Sequence, residues 1–328
     1  MHTFRNIDSL HRPIRSRRDH TRICRSLWAM AVCAIAAWAC EGGTLRADDG
    51  LPYRQQQDVV YAEVHGTGLL MDIFTPKGEA NGLGIIDVVS GAWSSDRGKI
   101  RDHTLAQFYN IFCKRGYTVF AARPGSKSRY TGAEMDQNVK LAIRFAKQRA
   151  ADYRIDPARL GITGASAGGH LATLAALTPV AHDLQNKQRI DQLDTSVCAV
   201  AVFFPPTDFL EWQEGKPIDP SVLGPLLFVG GIRGHNDDEI RSAAKAISPL
   251  HRVANPQPPF LLIHGDADKV VPLSQSKKLV EAINQAGGNA ELIIKEGGGH
   301  PWLTISNEVG VMADWFDKRL RTTPETEP

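Results

Sequence analysis

The sequence predicts an α/β fold, a mostly parallel sheet with helices laid over it, and three observations lead there. Short apolar runs alternate with segments of helical period, the rhythm of a sheet covered on both faces. One run, Leu160–Thr163, leads through Gly164-Ala165-Ser166-Ala167-Gly168 into an alanine- and leucine-rich stretch, Leu171–Leu177: strand, sharp turn, helix. Candidate partners for that serine, an aspartate and a histidine, stand downstream at the ends of two further runs, where parallel strands bring their loops to one edge.

The first 47 of the 328 residues read as an export signal rather than as part of the fold. Arg5, Arg12, Arg15, Arg17, Arg18, Arg22 and Arg25 precede an uncharged apolar run, Leu27–Cys40, too short for a comfortable transmembrane helix. Cleavage after Ala47 would leave a periplasmic or extracellular protein with no stable membrane anchor; an uncleaved anchor is the alternative. The chain has 38 basic and 36 acidic side chains, but the leader holds eight arginines and three acids. The remaining 30 basic and 33 acidic groups give −3, so no nucleic acid is expected as a partner. Residues 48–328 fit one domain.

Along that domain Leu83–Val89 reads as a strand, Leu105–Arg115 as an amphipathic stretch and Tyr117–Phe120 as a strand. A helix over Met135–Arg149 precedes the strand Leu160–Thr163, and Val197–Phe204 and Phe260–Ile263 are further strands. A helix over Ser274–Ala286 stops at Gly287-Gly288, and Ala290–Ile294 is the last strand. Residues 208–250 fit neither rhythm. Rich in Gly and Pro, with Trp212, Leu226, Leu227 and Phe228 and the polar run Asn236–Glu239, they read as an insertion, either a lid or a plain surface excursion. The tail 322–328 has the composition of a disordered segment. Three of five cysteines fall in the leader. Cys113 and Cys198 read as small buried residues, and no disulfide between them is expected. No Cys/His cluster has metal spacing, so neither a metal nor a cofactor is expected.

Chemistry centres on the pentapeptide. Glycines flank the serine because the turn crowds backbone on both sides, while the serine takes a strained conformation that lifts its hydroxyl clear of the sheet. A base and an orienting acid must follow, in the order Ser, Asp, His. His264-Gly265-Asp266-Ala267-Asp268 leaves the strand Phe260–Ile263 and offers two carboxylates, of which one could merely cap the turn. His300, after Gly297-Gly298-Gly299, follows the last strand and is the candidate base. His264 reads as a structural hydrogen-bonding group and His170 as a packed polar residue behind the nucleophile. For an oxyanion hole one donor is the amide of Ala167, at a helix N-terminus. The second should come from Ser90-Gly91-Ala92-Trp93, where such folds often carry a histidine-led glycine run. Ala92 is the preferred donor and Gly91 the alternative; Trp93 walls the substrate pocket or packs in the core.

With these segments the chain resembles the α/β-hydrolase superfamily, in particular its BD-FAE-like esterase/lipase branch. That branch stands near the carboxylesterases, kynurenine formamidases and prolyl-oligopeptidase-type peptidases. The resemblance runs from about Asp58 to about Leu320. It is carried by Val59-Val60-Tyr61 with Leu70–Pro76, Ile155–Leu160 with Gly164–His170, Ser248-Pro249, Pro259–Asp268 and Gly299-His300. It implies a three-layer fold with about eight mostly parallel strands and helices on both faces. It also implies a triad of Ser166, Asp268 and His300, which favours Asp268 over Asp266. The activity implied is cleavage of a small-molecule or carbohydrate-linked carboxylic ester through an acyl-enzyme. A serine peptidase of prolyl-oligopeptidase type and a non-catalytic binding protein on the same fold are the alternatives. Two segments depart from the family pattern and bear on substrate class: Ser90-Gly91-Ala92-Trp93, and Ala121-Ala122-Arg123-Pro124-Gly125 where relatives carry a tyrosine-arginine pair.

Overall fold

A computed structural model describes residues 50–188, 190–213 and 215–321; the segment 1–47 expected to be an export signal, with its three cysteines, and the tail 322–328 lie outside the described residues. The strands are β1 (Tyr53–Val64), β2 (Thr67–Pro76), β3 (Gly84–Val88), β4 (Thr118–Ala122), β5 (Leu160–Ala165), β6 (Ala199–Phe203), β7 (Phe260–Gly265) and β8 (Ala290–Lys295). They form one sheet in the order β1-β2-β4-β3-β5-β6-β7-β8. Strand β2 pairs antiparallel with β1 and β4, and every other pairing is parallel. The central strands β3, β4 and β6 are buried at every position, so they read as apolar runs, with Asp87 in β3 the one carboxylate among them. Edge strand β1 instead is mostly exposed or half-buried and carries the polar run Arg54–Asp58.

Helices clothe both faces, giving the three layers expected. Among the described residues they are α1 (Arg97–Leu105), α2 (Phe108–Lys114), α3 (Gly132–Gln148), α4 (Ala167–Leu177), α5 (Pro220–Leu227), α6 (Asp237–Ala246), α7 (Leu273–Gln285) and α8 (Ile305–Leu320). One core lies between the sheet and α3, α4 and α7, with Met135, Val139, Leu171, Leu279 and Ile283 facing Ile86, Val88 and Ile162. The other lies between the sheet and α1, α2 and α8, where Phe108, Phe112, Met312 and Phe316 meet Ile85, Val119 and Leu261. Helix α3 starts at Gly132, ahead of the expected Met135, because Thr131 and Glu134 close a reciprocal capping box.

Residues 208–250, the segment that fits neither rhythm in the sequence, carry α5, α6 and the start of a 3-10 turn, Pro249–Arg252. Asn236 and Glu239, read only as polar, form a second capping box at the start of α6. Cys198 is exposed rather than buried, since it stands just before β6 and outside the covered part of the sheet; Cys113 is buried, and both thiols are free.

Candidate active site

The turn from β5 into α4 presents Ser166 with φ 54° and ψ −122°, a conformation L residues avoid unless the surroundings impose it. The surroundings are the two flanking glycines. A Cβ on Gly164 would sit 2.5 Å from the Gly168 carbonyl carbon, and one on Gly168 would strike the Val88 carbonyl oxygen. The Ser166 amide donates to the Phe203 carbonyl at 3.0 Å and the Gly168 amide to Ser90 at 3.1 Å, fastening the turn to both neighbouring loops.

Parallel strands bring the other two residues to the same edge. Ser166 Oγ donates to His300 Nε2 at 2.9 Å, and His300 Nδ1–H donates to Asp268 Oδ2 at 2.7 Å. Asp268 is enclosed, with a fully buried side chain. Its Oδ1 accepts from the amides of Val270 and Val271 at 2.8 and 2.9 Å. Burial alone would raise the carboxyl pKa. Hydrogen bonds from His264, from His300 and from those amides outweigh it and hold the group well below the ordinary carboxylate range. Asp266 ends elsewhere: it is exposed, and its Oδ1 accepts from the Gly297 amide at 2.7 Å. His264 is buried, donating through Nε2 to the Val271 carbonyl at 2.9 Å and accepting from Ser276 Oγ at 2.7 Å, with Nε2 3.4 Å from Asp268. It therefore backs the aspartate as well as tying down the loop.

The loop after β3 holds Ala92 and Trp93 at φ 48° and 56°. Of the two amides considered as second oxyanion donor, that of Gly91 donates to the Ser94 carbonyl at 3.0 Å and is occupied. Among the described residues the Ala92 amide has no backbone partner. The Ala167 amide, at the first position of α4, is one the helix leaves unpaired. Trp93 lines the cavity while 5% exposed. Its Nε1–H donates to His170 Nδ1 at 2.9 Å, and His170 Nε2–H donates to the Ile247 carbonyl at 2.7 Å. Burial pushes the His170 pKa down to about 4, so the imidazole is neutral and bridges the loop, α4 and the end of α6.

Ser166 and His300 open onto a cavity of about 1230 Å³. Trp212, Ile218 and Val222 wall it from the 208–250 segment, and Phe108, Ile305 and Val309 from α2 and α8. Asp87 and His103 also line it, and the sequence reading passed over both. The signal was available: Asp87 is a lone carboxylate in the middle of an apolar run.

The BD-FAE family model matches residues 71–283. A probable carboxylic ester hydrolase of Mycobacterium tuberculosis, LipM, is 29% identical over 236 residues, 71% of this chain and 52% of that protein. The chain spans about half the length of the curated relatives it matches. Among solved structures, a truncated carbohydrate esterase from gut microbiota aligns with a TM-score of 0.71 and 28% identity, covering 85% of this chain and 100% of that one. Esterase Est2 of the planctomycete Thermogutta terrifontis aligns with a TM-score of 0.62 and 25% identity, covering 83% and 95%.

Proposed function

The chain belongs to the BD-FAE family, with an α/β-hydrolase fold, and from that premise we propose that it is a serine hydrolase cleaving carboxylic esters through an acyl-enzyme at Ser166. The observation that carries this reading is the relay of two hydrogen bonds, Ser166 Oγ to His300 Nε2 at 2.9 Å and His300 Nδ1 to Asp268 at 2.7 Å.

In the proposed reaction His300 takes the Ser166 proton as the oxygen attacks the ester carbonyl carbon. Asp268, ionised throughout the neutral range, stabilises the imidazolium and holds the tautomer. Negative charge developing on the carbonyl oxygen is met by the amides of Ala167 and Ala92, each donor of this kind contributing roughly 10²–10³ in rate. Collapse of the tetrahedral intermediate expels the alcohol, protonated by His300, and leaves Ser166 acylated. A water deprotonated by His300 then attacks the acyl carbon, and the same steps release the acid and restore the serine. Ester rather than amide cleavage is favoured because the relatives described above are named as ester hydrolases.

Small or carbohydrate-linked esters are the proposed substrates, and export through the leader 1–47 the proposed route. N-terminal sequencing of protein recovered outside the cytoplasm would test that route; an intact Met1 would contradict cleavage. For the reaction, Ser166→Ala is expected to lose ester turnover completely while melting within a few degrees of the wild type. Retained turnover would remove the nucleophile assignment.

A further inference from the structure

The cavity extends beyond the reacting groups. In the sheet Asp87 on β3 pairs in register with Thr163 on β5, three residues before Ser166. At the rise of a strand, three residues put Thr163 ~10 Å from the nucleophile, with Asp87 one strand across from it. The lining includes the apolar side chains Phe108, Phe203, Ile305 and Val309 and the hydroxyl-bearing Thr163. At the far end stands a second Asp–His pair, unused by the proposed chemistry.

His103, in the last turn of α1, donates through Nδ1 to Asp87 Oδ2 at 2.7 Å, and Tyr109 Oη–H donates to the same oxygen at 3.1 Å. Asp87 is fully buried. Its Oδ1 has no partner among the described residues, nor does the buried Oγ of Ser90, another residue of the cavity wall. Buried polar atoms are rarely left bare, so a bound group is their natural complement. Burial disfavours the His103 imidazolium, but the Asp87 carboxylate outweighs that and raises its pKa, which favours the protonated ring. Its side chain is 17% exposed.

We infer that the Asp87–His103 pair is a polar subsite of this cavity, binding a hydroxyl carried ~10 Å from the ester carbonyl on an otherwise apolar acyl or alkoxy group. The inference rests on the esterase reading and adds the substrate class. A hydroxyl both donates and accepts, which suits an imidazole N–H next to a bare carboxylate oxygen. A carboxylate or phosphate would meet the Asp87 charge, and an ammonium the His103 charge. A methyl group would leave the polar atoms unmatched.

The test compares esters of equal length ending in hydroxyl or methyl, one series varied in the acyl chain and one in the alcohol. In one of the two series the wild type is expected to favour the hydroxyl by about tenfold in kcat/KM. His103→Leu should reverse that preference. Because this change strands a buried carboxylate, His103→Gln, which keeps a donor, is measured beside it and should retain part of the preference. Binding of the same esters to Ser166→Ala gives a readout free of turnover. Equal affinity for both termini there would overturn the subsite and assign the bare atoms to buried water. Wild-type protein that binds the hydroxylated ester but turns over no ester would keep the subsite and sink the esterase reading.

Discussion

Two aspartates two residues apart meet different surroundings. Asp268 accepts from His300 and two amides in a closed pocket; Asp266 is exposed and accepts from Gly297. Asp268→Asn should lower kcat by on the order of 10³–10⁴, by favouring the wrong imidazole tautomer, and Asp266→Asn by less than about tenfold. Steady-state kinetics of both variants decide it; equal losses would dissolve the distinction. The family pattern pointed to Asp268, but the sequence alone left both open, because a turn cap and an orienting acid have the same residue type and the same address. His170 makes a prediction about stability. Its pKa falls from 6.5 to about 4 on folding, so between those values the unfolded chain takes up a proton that the folded one refuses. Its contribution is therefore complete above pH 6.5 and is lost as pH falls toward 4, a change on the order of 3 kcal/mol. Denaturant unfolding at pH 7 and pH 4.5 should show this loss in the wild type and a much smaller one in His170→Gln. Identical losses would contradict the assignment.

At the scale of elements, the turn from β5 into α4 was legible because its glycines answer steric needs visible in the pattern itself. Gly168→Ala should destabilise by roughly 1–3 kcal/mol through the clash with Val88 and cut activity with it, since relief requires moving Ser166. Unchanged melting and turnover would mean the turn is looser than described. The loop holding Ala92 was legible as a loop, while the hydrogen bond from Trp93 to His170 was not, because 77 residues separate its ends. That bond predicts coupling: the effects of Trp93→Phe and His170→Gln on kcat should be non-additive, and full additivity would show that the bridge does not position the loop. Helices α1 and α6 escaped notice because each buries a single residue, Ile100 and Ala244, which leaves little apolar periodicity to read. Helix α5 was hidden by Gly224 and Pro225 in its middle.

Over the whole molecule, the arrangement follows from parallel strands ending at one edge: β3 supplies the Ala92 loop, β5 Ser166, β7 Asp268 and β8 His300. The central strands were legible because burial on both faces leaves them no polar alternation. What the sequence did not disclose was the cavity, whose walls come from α1, α2, α8 and the 208–250 segment, far apart along the chain. Stability comes from the two cores and involves no bond between Cys113 and Cys198, so a reductant should leave the melting temperature unchanged. The central claim is that Ser166 is an activated nucleophile. It is tested most directly by treating the folded protein with a fluorophosphonate and locating the adduct by mass spectrometry. The account predicts a single adduct at Ser166, absent from His300→Ala. A folded protein that stays unlabelled, or is labelled elsewhere, would contradict it.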